Sequence, residues 1–189
     1  MSVTVTPDTF RFVAFDADLI ARVCESLVAA LGLDGHSVVV AVDETTPLAR
    51  VAVEIGATAA EPITIRVESG ALEDTRKPRN QSETATATTL GRVLLRARDR
   101  LQGGFGEAPA DDELSLAQVA AWETYCVGRL QRLGIAVNQQ RWRYNFRNRH
   151  GFSDASDAGF DRLWSSDVLT WGELDQISRT ASAIASATT

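Results

Sequence analysis

The hydrophobic pattern of this chain changes period near residue 70, and that change limits the fold more than any single motif does. Before it, apolar residues form a β-branched run from Val38 to Val42. They then alternate, with Ile63, Ile65 and Val67 set between Thr64, Arg66 and Glu68. The first pattern fits a strand covered on both faces, the second a strand with one wet face. Beyond residue 83 apolar residues recur at three and four positions, the helical period. The order predicts an α+β fold, with an N-terminal helix packed on a small, mainly antiparallel sheet and a helical C-terminal layer after it.

Local signals place the elements. Thr9 to Phe15 reads as a first strand, and Asp16 as the N-cap of a helix over 17–31 that Gly32 and Gly35 close. A turn at Thr45 to Pro47 makes 49–55 the expected hairpin partner of 38–42. Residues 71–82 are polar and read as an exposed connection. Leu90, Val93, Leu94, Ala97 and Leu101 share one stripe of the next helix, and the Gly-rich segment around 103–106 reads as a flexible loop. Ser115 and Gln118 form a capping box for a helix over 116–133, stopped by Gly134. Phe160, Leu163 and Trp164 mark a short helix. Thr170 with Glu173 caps the last one, whose stripe is Trp171, Leu174, Ile177 and Ala181. The tail over 181–189 is expected to fray. With no repeat and no long linker, the chain reads as a single domain over 1–189, with a helix and sheet part at 1–70 and a mainly helical part at 83–189.

Composition narrows the classes. An apolar fraction of 44% with 23% charged residues belongs to a folded chain. No run approaches the roughly 18 apolar residues of a membrane span, and the N-terminus has no leader-like pattern, so an intracellular, cytoplasmic protein is expected. Cys24 and Cys126 lie far apart on the apolar sides of two helices and are expected to be buried thiols. The formal net charge of −6 disfavours an indiscriminate nucleic-acid binder. The charge is uneven: residues 1–70 carry −6, residues 71–150 carry +4 and residues 151–189 carry −4.

The basic middle holds the candidate binding segment, RWRYNFRNRH over 141–150. Read as a strand, it puts Arg141, Arg143, Arg147 and Arg149 on one face and Trp142, Tyr144 and Phe146 on the other. Guanidinium groups beside aromatic rings can hold an acidic or phosphate-bearing partner, with His150, Arg76 and Arg79 as further candidates. The alternative is that these arginines neutralise acids of the flanking regions. Glu123 falls on the expected apolar stripe of its helix, where a carboxylate must be paired, bonded or protonated. It is a candidate catalytic acid or base with Tyr125 nearby and an arginine as substrate anchor, or else one half of a structural ion pair. A third expectation is a partner subunit that meets exposed tryptophans, all four of which follow residue 121.

Other motifs fall short. Asp16 and Asp18 after FVAF resemble the D-x-D nucleophile motif of haloacid dehalogenase-like phosphatases, which implies aspartyl phosphoryl transfer. Here Leu19 and Ile20 stand where that family carries a small residue and a threonine or valine, and a helix cap accounts for both acids. Two histidines, His36 and His150, are too few for a histidine-rich metal site, and no cofactor is expected. The Asp154, Asp157, Asp161 run lacks calcium ligands at its fifth and twelfth positions and reads as a solvated loop before a helix.

Overall fold

The structure, a computed structural model, describes residues 2–56, 58, 61–102 and 104–183, so Gly103 and most of the tail expected to fray lie outside the described residues. The chain forms two compact units, residues 1–98 and 99–189.

In the first unit a four-stranded sheet has the order β1-β2-β4-β3, from β1 (Val3–Thr6), β2 (Val38–Asp43), β3 (Val51–Glu54) and β4 (Ile63–Glu68). Val3 lies opposite Val38 and Val38 opposite Ile63 in parallel ladders, whereas Val51 meets Val67 in an antiparallel one. The fold is α+β as expected, but the sheet is mixed rather than mainly antiparallel. Helix α1 (Ala17–Ala30) makes the crossover from β1 to β2 that a parallel pair requires. Its Asp16 cap accepts the Asp18 N–H at 2.9 Å, and it buries Ile20, Cys24, Leu27 and Val28. In β2 one face, Val38, Val40 and Val42, is buried and the other is half-buried.

The segment over 9–15 is not a strand. Apart from one isolated bridge, in which the Ala14 N–H donates to the Arg79 carbonyl at 2.8 Å, its backbone groups meet side chains: Glu44 Oε2 accepts the Arg11 and Phe12 N–H groups at 2.7 Å each, and Arg79 Nη1 donates to the Phe12 carbonyl at 2.8 Å. Nor does β3 pair with β2. Asp43 binds the Thr45 N–H and the Thr45 and Thr46 hydroxyls, which turns the chain away so that β3 reaches the far side of β4. The polar stretch over 71–82 is also structured, as a small hairpin of β5 (Glu73–Asp74) and β6 (Lys77–Gln81). Helix α2 (Glu83–Leu101) buries Leu90, Val93, Leu94 and Ala97, and its last turn, from Asp99, belongs to the second unit.

The second unit is helical: α3 (Leu116–Arg132), α4 (Gln139–His150), α5 (Asp154–Ser165) and α6 (Trp171–Ala183), with α3 touching the other three. The capping boxes at Ser115/Gln118 and Thr170/Glu173 form as the sequence predicts. Trp171, Leu174, Ile177 and Ala181 of α6 are buried. Gly128 of α3 lies so close to α5 that a Cβ there would stand 2.2 Å from the Trp164 carbonyl oxygen. Phe105, in the loop expected to be merely flexible, is buried. Its ring centroid lies 4.9 Å from Trp122 and 6.2 Å from each of Tyr125 and Trp171. Such ring pairs add about 0.5–1.5 kcal/mol each beyond burial. Trp122, Trp164 and Trp171 are buried and Trp142 is half-buried, so the tryptophans are not the exposed surface a partner would meet.

Candidate functional site

The Arg-aromatic segment is a helix, not a strand. Asn138 caps α4 by accepting the Arg141 N–H at 3.1 Å, glutamine and arginine favour helix, and Gly151 ends it at φ +94°. The helical period overrides the alternation of rings. Phe146 and His150, one turn apart, point inward and stack at 3.8 Å. His150 is therefore a core residue rather than a surface ligand. Its Nδ1 lies 3.1 Å from the Phe146 carbonyl, which can only accept, so Nδ1 carries the proton and Nε2 accepts from the Ser178 hydroxyl at 2.9 Å. Burial pushes the His150 pKa down, against the opposing pull of that carbonyl.

The four arginines split into two kinds. Arg143 and Arg147 flank the inward face and are held by α5, whose Ser153 cap starts it at Asp154, so the acidic run is helical and not a loop. Arg147 makes a two-pronged contact with Asp157, Nε to Oδ1 at 2.8 Å and Nη2 to Oδ2 at 2.5 Å. Arg143 reaches Asp157 at 3.3 Å, pairs with Asp161, and lays its guanidinium 4.3 Å over the Phe160 ring. The Arg147 hydrogen bond, with Arg143 assisting, holds the Asp157 carboxyl below its ordinary range. Arg141 and Arg149 lie on the outward face, exposed, and among the described residues their guanidinium groups have no hydrogen bond or ion pair. At about 100° per residue that face also carries Gln140, Tyr144, Asn145 and Asn148, all exposed. Tyr144 is 59% exposed and sits edge-on to Phe152, 65% exposed, at 5.9 Å. No acidic residue occurs anywhere in α4.

Arg76 and Arg79 lie on the hairpin of the first unit. Arg79 is engaged: φ is +61°, its N–H donates to Glu73 and its guanidinium to Phe12. Arg76 is exposed, its backbone N–H bound to Asp74 at 2.9 Å.

Glu123 and Tyr125, two residues apart on α3, point about 200° apart and do not share a side of the helix. Glu123 is half-buried, whereas Tyr125 is buried and its hydroxyl is committed, donating to the Asp167 carbonyl and accepting from the Leu169 N–H, each at 3.0 Å. Burial raises the Tyr125 pKa, with the Arg129 charge opposing. Two carboxylates of this unit are buried, Asp175, bonded by Gln118 and Arg179, and Asp99, which sequence reading did not single out. It receives both arms of Arg129 at 2.7 Å and the Trp122 indole N–H at 2.8 Å, and the Arg129 guanidinium lies 3.7 Å over the Tyr125 ring. The available signal was Arg129 itself, four residues after Tyr125 and three after Cys126 on the buried side of α3.

Cys24 and Cys126 are buried free thiols, and burial pushes Cys24 up to about 12. Among the described residues no cluster of acids, histidines and cysteines could hold a metal ion, and no helix is long and apolar enough to cross a membrane. Compared with protein-family models, curated proteins and solved structures, the chain finds no match in any of the three.

Proposed function

We propose that this protein is a non-enzymatic binding or adaptor module that engages an acidic or phosphate-bearing partner through the outward face of α4. One observation carries the reading: Arg141 and Arg149 are exposed, uncommitted cations on a helix without a single acid, beside the exposed rings of Tyr144 and Phe152. Arginine and tyrosine are among the residues that dominate binding energy at interfaces. Arg143 and Arg147 serve this face indirectly, by fixing α4 on α5. Arg76 offers a further exposed cation on the first unit. The net charge of −6 favours a defined acidic patch or phosphate group over generic nucleic acid. Two buried free thiols fit a reducing, cytoplasmic setting. The enzyme alternative draws less support, because the Tyr125 hydroxyl is already saturated by backbone.

The test is fluorescence anisotropy with a labelled acidic peptide, single-stranded RNA and single-stranded DNA at low and physiological salt. Binding at micromolar concentrations that weakens with salt and disappears in the Arg141→Gln/Arg149→Gln double variant is expected. Binding that survives that double change, or no binding to any probe, overturns the reading.

A further inference from the structure

The sheet of the first unit ends in two unlike edges, β1 and β3. Strand β3 carries Glu54 and follows Arg50, charges of the kind that keep an edge from pairing with another chain. Strand β1, VTVT over Val3–Thr6, has no charge, no proline and an unbroken register with β2.

That register identifies the spare backbone groups of β1. Val3 lies opposite Val38 and Val5 opposite Val40 in a parallel ladder, and the Val38 N–H donates to the Ser2 carbonyl at 2.9 Å. Backbone groups alternate in direction along a strand, so Ser2, Thr4 and Thr6 bond to β2, while the N–H and C=O groups of Val3 and Val5 point outward from the edge. Among the described residues nothing bonds to them. The side chains of the same two valines lie on the face that buries Val38 and Val40, yet they are themselves only half-buried. The cover of that face runs out at β1, leaving an edge short of both hydrogen-bond and apolar partners.

We propose that β1 pairs with β1 of a second copy of this chain, antiparallel about a two-fold axis at Thr4. In this register Val3 meets Val5 of the second copy and Val5 meets its Val3, both as hydrogen-bonded pairs, so every outward N–H and C=O of the two valines gains a partner. Side chains alternate, so valine meets valine on the covered face and Thr4 meets Thr4 on the open one. Two-fold pairing sets each residue against its own kind, and a strand without charge escapes the repulsion this would bring. With four residues a side, against about 20–30 in a standard interface, the dimer is weak and concentration-dependent. The inference does not rest on the α4 face.

Sedimentation equilibrium of the purified full chain, from micromolar to millimolar concentration, tests it. A monomer–dimer equilibrium is expected. Val5→Pro deletes an N–H that β2 does not use and is expected to abolish the dimer while leaving the circular dichroism spectrum unchanged. Thr4 is exposed, so Thr4→Lys and Thr4→Glu leave the fold intact. Each alone is expected to be monomeric, because like charges would stand face to face, and an equimolar mixture of the two to dimerise again. A parent chain that stays monomeric, a dimer that Val5→Pro leaves intact, or lysine and glutamate variants that dimerise alone or fail to pair with each other overturns the proposal. If a monomeric parent binds a synthetic peptide of residues 2–7, the edge belongs instead to a strand of another protein, and the proposal falls.

Discussion

Arg129 and Arg147 each make a two-pronged bond to one aspartate, in settings that differ in almost everything else. Asp99 and Arg129 are closed inside the helical unit, with side chains 7% and 9% exposed and a tryptophan N–H completing the carboxylate. Asp157 and Arg147 lie at the α4–α5 seam with about a third of each side chain in water, 31% and 34%. The first pair cannot lose one partner without stranding a charge in the core. The second can, because water replaces what is removed. Residue type and bond geometry are the same, so burial decides how much each pair matters.

Asp99→Ala should therefore give the largest effect, a loss of about 3–5 kcal/mol in urea unfolding, as Arg129 and the Trp122 N–H lose their common acceptor. A double change of Asp99→Leu with Arg129→Met should recover most of it. If it does not, the pair supplies more than charge compensation.

Ser178→Ala removes the donor to buried His150 and should cost about 1–3 kcal/mol. His150 also sets a pH window. Its folded pKa lies below the ordinary 6.5 because burial disfavours the imidazolium, so the folded state binds fewer protons than the unfolded one. The stability this confers is complete above the unfolded value and declines as pH falls below about 6.5. Asp157, also lowered, begins to lose its contribution only below the unfolded value near 3.8. Glu54 and Glu173 are lowered as well and begin to lose their contributions as pH falls toward about 4.5, so the histidine slope should be read in unfolding curves between about pH 5.5 and 8, where His150→Gln should flatten it.

Asp157→Asn should cost no more than about 1 kcal/mol, since half-exposed pairs are screened. A loss comparable with that of Asp99→Ala would erase the distinction between the two settings. The smallest effect on folding is expected from the Arg141→Gln/Arg149→Gln double change, within about 0.5 kcal/mol of the parent.

What could be read from the sequence follows the range over which each feature is determined. The caps at Asp16, Ser115 and Thr170 involve residues two or three apart, and all three formed. Sheet order depends on which strands meet after dozens of intervening residues, and the local turn at Thr45 to Pro47 pointed to the wrong partner for β3. In the Arg-aromatic segment two periods compete. Rings at 142, 144 and 146 imitate a strand, whereas the Asn138 cap, the Gly151 stop and the four-residue spacing of Phe146 and His150 belong to a helix. The wrong period put all four arginines on one face, and the right one divides them into two tied to α5 and two facing water. The expected stripe of α3 is buried at Cys126, Val127 and Leu130, but so is almost every residue from Ala121 to Leu130, and reading one stripe alone singled out Glu123 and hid the role of Arg129. Leu116, on that expected stripe, is 63% exposed.

Gly128 lies against the Trp164 carbonyl and stands next to Arg129, so one dipeptide serves both a close approach of α3 to α5 and a buried ion pair. Even a methyl group at the first position would force the two backbones apart, and a shorter base at the second would leave Asp99 unanswered. Gly-Arg preceded by Trp122 and Tyr125, and followed 35 residues later by Trp164, is thus a fingerprint written by sterics and charge. Distant kin of this chain, however far their surfaces have diverged, should be recognisable by that spacing when overall similarity has faded.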